Sequence, residues 1–232
     1  QNWQSAMTYS NFSKPVLRWL AREDAETEQT HLGPGRLGIP AEEFIETYQV
    51  FNAAFPWNVR LHNMNSLDTH DTPRFKTLSR TGMQRVGAAL QFTLPGIPTI
   101  FADDERGLTG WNGENSRTPM PWNGERETDS ELQELYAQLA ALRRNHPVLK
   151  TGSMRWLYSS AETVVFTRED SGSSVMVCAS RSGENELRIP IESLYHRGLA
   201  KNLFGGTNLK IADTKYLISP RKAEVQIWRI GS

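Results

Sequence analysis

The sequence predicts a mixed fold, with about three strand–helix units of α/β type over residues 1–148 and an antiparallel all-β sandwich over 149–232. Three observations carry this. In the first part, apolar residues recur at helical spacing in stretches that alternate with short apolar runs. Beyond Leu149 the period becomes alternating, and Gly172, Gly183 and Gly205-Gly206 mark turns. Between the two regimes, Asn145-His146-Pro147 stops a helix, which sets the boundary near 147–151.

The elements follow in order. Residues 5–10 suit a short strand, and Asn11 or Ser13 caps a helix with Pro15 in its first turn and Val16, Leu17, Trp19 and Leu20 on its apolar face. Gly33-Pro34-Gly35 and Gly38 read as a loop. A second helix starts near Pro40, with Glu42 and Glu43 favourable at its N-terminus. It carries Phe44, Ile45, Tyr48, Phe51 and Phe55 at helical spacing, and Pro56 ends it. Residues 61–67 read as a strand and 82–93 as a helix stopped by Pro95-Gly96. The run 97–102 suits a strand buried on both faces. Residues 107–129 form a long loop, longer than a simple connection needs. Asp129 or Ser130 then caps a helix to about Arg144, with Leu132, Leu135, Tyr136, Leu139 and Leu142 as its buried stripe. Strands are expected at 152–158, 163–167, 174–180, 185–189, 215–218 and 223–230.

Composition excludes several classes. The 26 Lys+Arg balance the 26 Asp+Glu. A summed charge of zero gives no field to draw nucleic acid or anionic lipid. No run is long and apolar enough to span a membrane. Cys178 is the single cysteine, so no internal disulfide forms, and its apolar strand context reads as a buried thiol rather than a nucleophile. No metal-ligand spacing and no phosphate loop is present, so neither metal nor cofactor is expected. No leader is visible at Gln1, and the expected location is cytoplasmic. Seven Trp is a high count, and each serves either a core or a platform for a sugar ring.

The chemistry concentrates in Asp68-Thr69-His70-Asp71-Thr72-Pro73-Arg74. A strand running into a loop of His, Asp and Arg is how a (β/α) barrel presents reactive groups at the C-terminal ends of its strands. The run 97–102 repeats the arrangement, ending in Asp103-Asp104-Glu105-Arg106. Three units cannot close a barrel, which needs eight. The first part is therefore either an open three-stranded layer or part of something larger.

Three ordered motifs narrow this choice: the Asp68–Arg74 run, Gly96-Ile97-Pro98-Thr99-Ile100-Phe101-Ala102-Asp103-Asp104-Glu105, and Ser116-Arg117-Thr118-Pro119-Met120-Pro121-Trp122. In order and spacing the chain resembles the α-amylase family of glycoside hydrolases, on its α-glucosidase, neopullulanase and trehalose synthase side. The resemblance implies the C-terminal part of a (β/α)8 barrel, strands six to eight, followed by the family's C-terminal β-sandwich. It implies Asp71 as the carboxylate that stabilises the transition state and His70 as a sugar ligand. It implies Arg74 either orienting Asp71 or holding the sugar, and Trp111 stacking on it, while Trp122 packs its loop down. Asp104 and Glu105 either line the cleft as sugar ligands or pair with Arg106 and Arg117, and the structural rim is the preferred expectation. Asp103 stands where the family usually has Gly. A carboxylate there, beside Asp104 and Glu105, is expected to raise at least one pKa.

The family's nucleophile, an Asp in a Gly-x-Arg-x-Asp context, and its acid/base Glu have no counterpart here. Asp24, Glu26 and Glu46 read as solvated surface instead. The expected parent is a retaining hydrolase of malto-oligosaccharides or related α-glucans, and this fragment alone is expected to be inactive. The alternatives are a trehalose synthase-like transferase or isomerase, and a non-catalytic carbohydrate-binding or assembly chain of a split enzyme. Expected partners are the glucan, the missing N-terminal barrel part, and another copy through exposed barrel edges.

Overall fold

The computed structural model describes residues 5–25 and 35–231. Gly33, Pro34 and Glu26, all named above, lie outside the described residues.

A wide π turn, Tyr9–Ser13, leads into α1 (Lys14–Leu20), with Pro15 in its first turn. Ser13 holds the N-cap position without capping. Its hydroxyl donates instead to the Ser66 carbonyl at 2.5 Å, while the Asn11 amide reaches Asn52. These bonds tie the helix to the neighbouring segment, a pairing that local sequence does not encode. The second helix, α2 (Ala41–Ala53), has Glu42 and Glu43 in its first turn and buries Phe44, Ile45 and Tyr48. Phe51 stays about half exposed, and Phe55 lies beyond the helix.

Pro56 starts an element as well as separating two. It is the N-cap of α3 (Trp57–His62), so the expected strand 61–67 shrinks to β1 (Met64–Asn65). Helix α4 (Phe75–Leu78) and α5 (Met83–Thr93) follow, with Gly82 in the left-handed region at the N-cap of α5. Then comes β2 (Ile97–Pro98), parallel to β1. Met7 makes a parallel bridge to Met64 on the other side of β1. The expected strand at 5–10 is only this bridge. The run 97–102 is not buried on both faces, since Ile97 and Ile100 are 46% and 39% exposed. Ile97 stands on β2, which among the described residues pairs with β1 alone, and Ile100 follows just beyond it.

The long loop contains one short helical turn, α6 (Gly113–Ser116). Asp129 caps α7 (Ser130–Asn145) through its side chain, which accepts from the Leu132 N–H at 2.9 Å. The turn α8 (Val148–Thr151) then passes into strands β3 (Ser153–Ser159), β4 (Thr163–Glu169), β5 (Ser174–Ser180), β6 (Leu187–Pro190), β7 (Ala200–Phe204), β8 (Lys210–Ala212), β9 (Lys215–Ile218) and β10 (Glu224–Ile230). They form a five-stranded sheet, β3-β4-β5-β10-β7, and a three-stranded sheet, β6-β9-β8. The sequence reading misses β7 and β8. Both are edge strands: the pairing of β7 with β10 shifts register at Ile227/Trp228, and β8 has only three residues, too few to show a period of two.

The five-stranded sheet is the middle layer of three. One face sends Val164, Phe166, Val175, Val177 and Ile227 into a core shared with α1, α2, α5 and α7. The other sends Val165, Met176, Cys178 and Trp228 against Leu187, Ile189, Tyr216 and Ile218 of the smaller sheet. Burial on both faces explains why β4 and β5 are buried along their whole length. It also pushes the Cys178 thiol up to about 12, so it is no nucleophile at neutral pH. The core does not divide where helix gives way to strand. Trp156 of β3 packs edge-on against Phe44, whose ring stacks on Trp19 with centroids 5.3 Å apart.

Buried arginines satisfy carbonyls in this interior, and two of them, Arg168 and Arg181, cross that junction. Arg143 donates to the Phe92 and Gly96 carbonyls, and Arg181 to those of Trp19 and Ile39. Arg168 donates to Thr93 at 2.7 Å, Leu149 at 2.8 Å and Gly152 at 2.9 Å.

Candidate active site

The Asp68–Arg74 run leaves β1 and divides into an outer and an inner half. Outside, Thr69 organises a tight turn. The Thr72 N–H donates to the Thr69 carbonyl, and the Asp71 N–H to the Thr69 hydroxyl at 3.2 Å. The Tyr9 hydroxyl lies 3.0 Å from the same hydroxyl. This turn lifts His70 and Asp71 into solvent, with side chains 59% and 58% exposed. His70 Nε2 lies 3.2 Å from Asp71 Oδ1.

Arg117, from the far end of α6, clamps that pair. Its Nε donates to the His70 carbonyl at 2.8 Å, Nη2 lies 3.3 Å from Asp71 Oδ1, and Nη1 holds Glu114 at 3.0 Å. Gly113 lets the two loops meet backbone to backbone, since a Cβ there would sit 3.1 Å from the His70 carbonyl oxygen. Trp111 belongs to the same loop and is 56% exposed. Its backbone N–H donates to the Asn115 side-chain oxygen.

The inner half is buried. Arg74 is buried among protein groups rather than open to a sugar, and no hydrogen bond joins it to Asp71. Nη1 pairs with Asp104 at 3.0 Å, Nε and Nη2 donate to the Ser116 carbonyl, and the guanidinium lies 3.9 Å from the Phe101 ring centroid. Its backbone N–H donates to the Gly110 carbonyl. Arg74 thus ties the long loop down from below while Arg117 ties it from above. This corrects two expectations. Arg117 pairs with Asp71 and Glu114 rather than the Asp104 rim, and Asp104 takes Arg74 instead. Trp122 also differs: it stays largely exposed, with the Arg106 guanidinium 5.3 Å from its ring.

Asp68 and Asp104 are both buried in this interior, close enough for the charge of Asp68 to act on Asp104. Burial raises Asp68 to about 6, against the Phe75 N–H and Arg74, which pull it down. Burial, and then the Asp68 charge, raise Asp104 well above the usual carboxylate range. Asp103, with φ of 77°, occupies the left-handed region that Gly favours and Asp tolerates. Its pKa is raised first by burial and then by Glu105.

A pH prediction follows from the pair. The folded chain holds a proton on Asp68 that the unfolded chain has released above its ordinary pKa. That contribution to stability is complete below about pH 4 and lost as pH rises through about 6. Asp68→Asn keeps an acceptor for Phe75 and removes the titration. Relative to the parent it should gain on the order of 2 kcal/mol between pH 4 and 7. Urea unfolding at stepped pH measures this, and parallel profiles would refute it.

No family model matches the chain. It is 31% identical over 183 residues, 77% of its length, to a cyclomaltodextrinase of Geobacillus thermopakistaniensis. It is 36% identical over 125 residues, 53% of its length, to a cyclomaltodextrinase of Thermoanaerobacter pseudethanolicus. The chain belongs to the α-amylase family of glycoside hydrolases. The fold agrees: a debranching enzyme of Nostoc punctiforme superposes on the whole chain with a TM-score of 0.83 at 22% identity. The chain spans 29% and 22% of the two cyclomaltodextrinases and 48% of the debranching enzyme. Within this α-amylase-family frame, sequence reasoning missed Arg117 as the partner of Asp71 and the burial of Asp68, whose charge acts on Asp104. The carboxylate of Asp68 was visible in the same run, but nothing local marks it as buried.

Proposed function

We propose that this chain is the C-terminal part of a retaining α-glucosidic hydrolase acting on malto-oligosaccharides or related α-glucans. In this reading residues 1–148 supply the sixth to eighth strand–helix units of a (β/α)8 barrel, and 149–232 the sandwich that follows it. The observation that carries the reading is the His70–Asp71 pair, lifted open at the end of a parallel strand and held by Arg117. The cyclomaltodextrinase names of the relatives point to the same substrate class.

Retaining hydrolysis needs one carboxylate to attack the anomeric carbon and one acid to protonate the leaving oxygen. Both come from the preceding part of the longer protein. The task of Asp71 is electrostatic: a fixed carboxylate beside the sugar strengthens its contacts as positive charge develops at the ring oxygen and anomeric carbon. His70 offers a ring nitrogen to a sugar hydroxyl, and Trp111 an exposed face to the ring. Arg74 acts as a positioning residue beneath the loop. The exposed Met7, Ile97 and Ile100 meet the missing barrel part, and in its absence a second copy of the chain.

Product analysis of the longer protein on maltose and maltodextrin tests the reading. Glucose and short maltosides, released with retained anomeric configuration, are expected. Trehalose from maltose would assign an isomerase instead, and no turnover would leave a carbohydrate-binding or assembly chain.

A further inference from the structure

A second cleft, of about 730 Å³, lies in the sandwich, away from His70 and Asp71. It is bounded by β3, the β4–β5 turn and residues 192–197. Its volume falls within the range of ligand clefts, roughly 300–1,000 Å³.

One aromatic ring dominates it. Tyr195 is 70% exposed, yet its backbone is fixed. Its N–H donates to Glu169 Oε1 at 2.8 Å, and Leu194 beside it is buried. The next residue is held too. The His196 N–H donates to the Ser174 hydroxyl, its ring nitrogen lies 2.9 Å from the Asp170 carbonyl oxygen, and its ring meets that of Tyr195 edge-on. Glu169 is buried and organises the floor, taking the Tyr195 N–H and the Ser174 hydroxyl on one oxygen and Arg155 on the other. Arg155 in turn donates to the Ser193 carbonyl and remains half exposed. A ring on a fixed backbone, with its neighbour His196 against it, has less freedom to lose on binding.

The lining is polar and nearly balanced in charge. Arg155 and Arg197 stand against Glu169, Asp170 and Glu192. Such a lining selects neither a strong anion nor a strong cation. It also lacks the apolar surround that a protein partner would bury around an aromatic anchor. A flat ring flanked by donors and acceptors suits a neutral ligand with an apolar face and a hydroxylated edge. A pyranose has both.

We infer that the Tyr195 cleft is a separate sugar-binding site, which holds an α-glucan chain on the sandwich apart from the hydrolytic site. The choice of α-glucan among pyranose polymers rests on the proposed function; the site itself rests on the cleft. Tyr195 stacks on a ring face, Arg155 donates to hydroxyls, and Asp170 and Glu192 accept from them.

The test follows the Tyr195 and neighbouring His196 ring resonances by NMR in this chain, the His196 signals serving for the Tyr195 variants, while maltoheptaose, and separately cellohexaose, is added. A saturable shift with maltoheptaose is expected, with a Kd on the order of 1 mM. Tyr195→Ala should weaken binding at least about tenfold, whereas Tyr195→Phe keeps the ring and retains it. Trp111→Ala should leave the Tyr195 response unchanged. No saturable shift, or undiminished binding by a folded Tyr195→Ala chain, overturns the site. Binding of cellohexaose alone overturns its assignment to α-glucan. None of these results depends on hydrolytic turnover, so failure here is distinct from failure of the proposed function.

Discussion

Asp71→Asn in the longer protein is expected to lower kcat on maltodextrin by about 10³-fold, or ~4 kcal/mol in the barrier. The substitution keeps size and one acceptor oxygen and removes the charge. That charge matters most when the sugar becomes cationic, so the loss falls on kcat rather than on KM. Stability should barely change. The Asp71–Arg117 contact is a solvent-exposed ion pair, with side chains 58% and 44% exposed. Exposed pairs contribute about 0–1 kcal/mol. Near-normal unfolding with collapsed kcat therefore marks a catalytic carboxylate. Lost stability with unchanged kcat would mark a structural ion pair. Steady-state kinetics and urea unfolding on the same variant separate the two.

The second large effect is on stability. Arg168→Met is expected to cost about 3–4 kcal/mol, measured by urea unfolding of this chain. Arg168 is fully buried, and burial lowers its pKa to about 9. Its donors serve carbonyls of Thr93, Leu149 and Gly152 at once. Methionine fills much of the volume but donates nothing, so acceptors from three segments lose their partner in the interior. The loss is partly offset because a desolvated charge also disappears. These carbonyls lie where helices meet the sheet, so the cost should appear as one cooperative transition of the whole chain. A separate early melting of the helical layer would show that the shared core is not the bond between the layers.

The sequence makes some of this legible and hides the rest for physical reasons. Helix α7 is readable because its buried stripe is local and Asp129 caps it, and α5 because its run of mostly apolar residues is bounded by Gly82 and Pro95-Gly96. Strands β4 and β5 are readable because burial on both faces leaves continuous apolar runs. His70 and Asp71 are readable because adjacent residues of the right chemistry follow a strand. Arg117 is not, because its contact with them spans more than forty positions and is set by how two loops fold together. Arg74 is misleading for a related reason. A charged residue beside an acidic pair reads as open, and only packing reveals that Asp104, Phe101 and the Ser116 carbonyl enclose it. Asp103 shows the reverse case, in which an unusual residue at a Gly-like position is explained once its left-handed backbone is known.

The central claim is that His70 and Asp71 are one part of a catalytic set completed by residues outside this chain. Its most direct test is an assay of the isolated chain on aryl α-glucosides and maltodextrin, beside the longer protein. The prediction is turnover by the longer protein and none by the chain. Turnover by the isolated chain that disappears on Asp71→Ala would contradict it.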